Sequence, residues 1–126
     1  PPITQTAFVK ILFNPQTLYS AQEKINMYLS DGFRVSSVWD LYSNGTTSGK
    51  VMLLARGMSG IIGQVEFVYV SYTDEGLNVA QEKINMSLSD GFHIFKVWEY
   101  ILEGTVIGKI LVLVKAGCTT SEERMQ

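Results

Sequence analysis

The chain has 126 residues, 46% of them hydrophobic and only 17% charged, against roughly 25% charge in an average soluble protein. That length builds one good core rather than two large ones, and so little charge on a small domain leaves apolar surface for a partner to cover. A net charge of −2 at pH 7 gives no electrostatic basis for binding nucleic acid.

The first apolar run, Ala7 to Phe13, is rich in aromatic and β-branched residues and predicts a strand. Asn14 is placed to cap a following helix, with Pro15 at its first position, where a missing N–H costs nothing. Leu18, Ala21, Ile25 and Leu29 fall at helical spacing and form one apolar stripe, leaving Gln22, Glu23, Lys24 and Asn26 for the wet side. Gly32 stands where a left-handed residue ends a helix, with Phe33 folding back on Leu29. A second strand follows, in which Phe33, Val35, Trp39 and Leu41 alternate with Arg34, Ser36 and Asp40. Asn44-Gly45 is a hairpin signal, because both residues tolerate positive φ. The third strand, Lys50 to Arg56, is apolar at nearly every position, as a strand covered on both faces should be.

The same order then repeats. Ala21-Gln-Glu-Lys-Ile-Asn-Met-Tyr-Leu-Ser-Asp-Gly-Phe33 recurs as Ala80-Gln-Glu-Lys-Ile-Asn-Met-Ser-Leu-Ser-Asp-Gly-Phe92, differing only at Tyr28 and Ser87. The same offset pairs Phe8 with Phe67, Trp39 with Trp98, Gly45 with Gly104 and Lys50 with Lys109. Strands at Val65–Tyr72, Phe92–Tyr100 and Lys109–Lys115 are expected, with a helix from Thr73 whose stripe is Leu77, Ala80, Ile84 and Leu88. Asp74 and Glu75 suit that helix's N-terminal dipole. The chain therefore reads as a tandem duplication of a β-α-β-β unit. Repeat one covers about 6–57 and repeat two about 65–116, within one α+β domain spanning 1–126. A pseudo-twofold is expected, with the helices on one face of the sheet or sheets. The linker 57–63 is glycine-rich but apolar, a tight connection rather than a tether, and 118–126 is a polar tail. Each unit has three strands and one helix, so one sheet face must be buried by the other repeat or by another subunit; a homo-oligomer is expected.

Chemistry is sparse. Cys118 is the only cysteine, so neither an intrachain disulfide nor a cysteine-built metal site is expected, and one histidine, His93, gives no metal spacing. No phosphate loop, catalytic Ser/His/Asp set or cofactor motif appears. The apolar runs fall well short of the ~20 residues of a membrane helix and no signal peptide is visible, so the expectation is a cytoplasmic protein with no membrane partner. Candidate ligand-binding residues are the paired positions Arg34/His93, Trp39/Trp98 and Lys50/Lys109, an aromatic platform beside a cation that suits a small anionic ligand. Lys50 and Lys109 each follow a glycine. Arg56 and Lys115 read as gatekeepers against edge pairing, while Asp40 and Glu99 have no visible partner. Packing requires only the helices' apolar stripe, yet their polar positions match too. Recent duplication accounts for that; so does a shared kind of partner for both helix faces.

The succession of helix, Leu-Ser-Asp-Gly-Phe, strand, glycine hairpin and apolar strand resembles a family of short bacterial and phage domains to which no activity is assigned. It covers almost the whole of each repeat and implies a non-catalytic binding or assembly protein of bacterial or phage origin. The doubled β-α-β-β unit also resembles the tautomerase superfamily, in which an N-terminal proline is the catalytic base of a trimeric isomerase. That resemblance implies Pro1 as general base, with Arg34 and Arg56 the candidates for the arginines expected around it; Pro2, the short helix and the lack of a recognisable arginine pattern depart from the family.

Overall fold

A computed structural model describes residues 2–117. The elements run β1 (Gln5–Leu12), α1 (Pro15–Ser30), β2 (Phe33–Ser43), β3 (Thr46–Arg56), β4 (Ile62–Ser71), α2 (Asp74–Ser89), β5 (His93–Leu102) and β6 (Thr105–Ala116). The fold is α+β, with two separate three-stranded antiparallel sheets, ordered β1-β3-β2 and β4-β6-β5. The hairpin arms extend past the apolar runs to the turns, and Ile62, at the end of the linker, already pairs with Ala116.

Local chemistry sets the ends of these elements. The Asn14 side chain accepts from the amides of Gln16 and Thr17, and Thr73 accepts from Gly76, satisfying amides that have no partner within the helix. Gly32 and Gly91 take φ of 90° and 95° just past each helix. At the second, the Gly91 amide bonds the Leu88 carbonyl and the Phe92 amide bonds that of Ser87, a Schellman stop. Both hairpins turn on two residues of positive φ, Asn44-Gly45 and Glu103-Gly104, whose twist matches that of the strands.

The core is lopsided. In α1, Leu18, Ala21, Ile25 and Leu29 are all buried, against Val9, Ile11, Met52 and Leu54 of the first sheet. The same cluster takes in the back face of the second sheet, away from α2: Val65, Phe67, Tyr100, Ile110, Val112 and Val114. Helix α1 thus covers the β1 side of its sheet, and the second sheet lies over the rest. A smaller cluster joins Ala80 and Ile84 of α2 to Val68, Phe92, Leu111 and Leu113. The stripe expected in α2 is only partly covered: Leu77 is 47% exposed where Leu18 is 4% exposed. Beside α2 the second sheet keeps Ile94 50% and Val97 56% exposed, while its back is sheltered by the first repeat. The back of the first sheet is not, with Phe8 62% and Trp39 43% exposed. Helix α1 packs on β4 as well as on β1 of its own sheet, whereas α2 packs on β4 of its own sheet, so the contact between the repeats is one-sided and the expected pseudo-twofold is not confirmed.

Candidate functional site

A cleft of about 340 Å³ opens between the two sheets. One wall is Val35, Val38, Lys50 and Met52 of the first repeat; the other is Val65, Lys96, Trp98, Val112 and Val114 of the second. The Lys50 ammonium stands 5.5 Å from the centre of the Trp98 ring and is also paired across the hairpin with Asp40. Trp98 leans on Phe67, ring centres 5.5 Å apart, which fixes the plane it offers. The cleft therefore combines apolar walls, one aromatic face and two ammonium groups, a lining suited to a small molecule with an apolar body and a negative end.

A tryptophan and a lysine do converge, then, but across the repeats rather than within each. Trp39 and Lys50 lie on opposite faces of the first sheet, because a bulge between Val35 and Ser37 shifts the register of β2 on β3. One inserted residue reverses every later side chain, so Trp39 stands opposite Val51 while Val38 stands opposite Met52. The same slip follows Ile94 in β5. Trp39 instead packs edge-on to exposed Phe8, ring centres 6.1 Å apart. Lys109 pairs with Glu99 at 3.7 Å on the open face beside α2. Thus Asp40 and Glu99, read as partnerless, each answer a cross-strand lysine.

Arg34 and His93 form no pair of sites. The Arg34 guanidinium donates to the carbonyls of Gly60, Leu29 and Phe33, a structural clasp between the end of α1 and the linker, whereas His93 is exposed. The glycines before the lysines serve pairing: a Cβ on Gly49 would lie 2.3 Å from the Ile11 carbonyl oxygen, and one on Gly108 2.5 Å from that of Val70. Arg56 and Lys115 end central strands rather than edges. They pair with Asp31 and Asp90 and sit over the rings of Phe33 and Phe92. Pro1 and Cys118 lie outside the described residues. Of the two arginines named to assist Pro1, Arg34 is held by three carbonyls and Arg56 by Asp31.

Two further residues do work that composition did not announce. Gln22 and Asn26, expected on the wet side of α1, meet the free edge of β4. Asn26 Oδ1 accepts from the Val65 amide at 2.8 Å, its Nδ2 donates to the Val65 carbonyl at 3.0 Å, and Gln22 Oε1 accepts from the Phe67 amide at 2.9 Å. Two side-chain amides imitate a neighbouring strand, which closes an edge that would otherwise invite pairing. The signal in the sequence was the identity of the helices beyond their apolar stripe.

Among the described residues, no helix is long and apolar enough to cross a membrane, and no group of His, Cys, Asp and Glu is placed to hold a metal ion. The chain matches no protein-family model, no curated protein and no solved structure.

Proposed function

We propose that the chain is a non-catalytic, self-associating binding protein that holds a small organic anion in the cleft between its two sheets. The observation that carries this reading is the meeting of Lys50 with Trp98 at the mouth of an apolar cleft. An aromatic body fills the space between Val38, Met52, Val112 and Trp98, and its anionic group sits at Lys50 and Lys96, sharing Lys50 with Asp40. Self-association is supported by the bare back of the first sheet, and descent by tandem duplication by the near-identical helices.

Titration with anilinonaphthalene sulfonate, a fluorescent aromatic anion, tests the cleft. A charge-assisted contact contributes about 1.5–3 kcal/mol, so Lys50→Ala should weaken binding by about tenfold to a hundredfold. Trp98→Ala should weaken it too, whereas Trp39→Ala, on the opposite face, should leave it unchanged. Equal affinity in all four proteins sinks the cleft reading. Native mass spectrometry of freshly purified protein would show whether an anion travels with it.

A further inference from the structure

The contact between the repeats uses only half of the surfaces that the repeats possess. In it, α1 and the helix side of the first sheet receive the β4 edge and the back of the second sheet. The reciprocal surfaces are both present and both open. On α2, Gln81 and Asn85, the counterparts of Gln22 and Asn26, are exposed. So are Leu77 and Leu88 of the same helix and Ile94 and Val97 of β5. On β1, Thr6 and Phe8, the counterparts of Val65 and Phe67, are exposed as well. Register settles the direction of their backbone groups. The Phe13 amide bonds the Ser48 carbonyl of β3, and residues alternate along a strand. The N–H and C=O groups of Thr6 and Phe8 therefore point away from β3, at an edge beyond which no strand lies among the described residues.

We propose that α2 and the open helix side of its sheet bind the β1 edge and bare sheet back of a second copy, repeating between chains the contact that α1 makes with β4 within one. Asn85 then bonds the amide and carbonyl of Thr6 in the second copy, and Gln81 bonds the amide of Phe8. Lys109, paired with Glu99 as Lys50 is with Asp40, comes over Trp39 of the second copy as Lys50 comes over Trp98. The shared helix sequence follows directly, because both helices cap the same kind of strand edge. The second copy is selected over other partners because one chain carries both halves of the joint, and the internal contact is its template. The joint is head-to-tail, so each chain offers one of each half, and copies close into a ring or continue as a filament.

This inference rests on the self-association reading above and names its surface. Two variants, each spoiling one half, test it: Phe8→Glu on the strand side, and Gln81→Lys with Asn85→Lys on the helix side. All these residues are exposed, and circular dichroism should show the native fold in both variants. By native mass spectrometry the wild type should be oligomeric and each variant should run as the 14.1 kDa monomer. An equimolar mixture should form a one-to-one dimer and nothing larger, since the intact halves lie on different chains. A monomeric wild type overturns both this joint and self-association. Variants that remain oligomeric, or that fail to pair when mixed, overturn the joint alone.

Discussion

Tyr100 fastens the second sheet to the first repeat. Its hydroxyl donates to the Phe13 carbonyl at 2.9 Å, and its ring stacks on Phe13 with centres 5.5 Å apart. Burial, and after it the neighbouring Tyr69, raise its pKa above the usual 10.0. A raised pKa means that the fold favours the neutral phenol. The stability it contributes is thus complete below about pH 10 and is lost as pH climbs through the folded value. Tyr100→Phe leaves the Phe13 carbonyl unpaired and should cost about 1–3 kcal/mol in urea denaturation at neutral pH. The gap to wild type should narrow in stronger alkali. A gap independent of pH would mean that the hydroxyl plays no part.

At the scale of elements, equal sequences occupy unequal places. Leu18 and Leu77 hold matching positions in α1 and α2, but only Leu18 is buried. Leu18→Ala should destabilise by about 2–5 kcal/mol, and Leu77→Ala, measured at concentrations low enough to keep chains apart, by less than about 0.5 kcal/mol. Equal losses in denaturation midpoints would contradict the lopsided core. What was legible in the sequence was local. Asn14, Gly32, Asn44-Gly45 and the helical stripes each fix backbone within a few residues, and those boundaries hold nearly to the residue. What was not legible depended on distant pairing. The bulges after Val35 and Ile94 leave no mark on an apolar alternation, so Trp39 was read on the face of Val35 and beside Lys50. Nor does the wet side of a helix reveal that Gln22 and Asn26 meet a strand edge, since any exposed amide looks the same. Tyr100 aligns with Leu41, so the repeat itself gave no hint of its hydroxyl's bond.

For the molecule as a whole, the decisive relation is between the two sheets. The second has the first repeat over its back, where its Phe67, Tyr100, Ile110 and Val112 are buried. The corresponding Phe8, Leu41, Val51 and Leu53 of the first sheet are not buried, and Phe8 and its neighbour Trp39 are exposed. Exposed apolar surface thus lies both on the back of the first sheet and beside α2, where Leu77, Ile94 and Val97 are open.

The amide caps on β4 also bear on how the chain reaches its native state. Gln22-Asn26 and Gln81-Asn85 are chemically indistinguishable to the incoming strand, so a refolding β4 meets α1 of its own chain and α2 of any neighbour on equal chemical terms, and only tethering favours the former. Crowded refolding should therefore entangle chains through exchanged helices, as tandem repeats are prone to do. After dilution from urea, the yield of native protein should fall as chain concentration rises. The Gln81→Lys, Asn85→Lys protein should largely escape that fall, because its decoy helix has been erased.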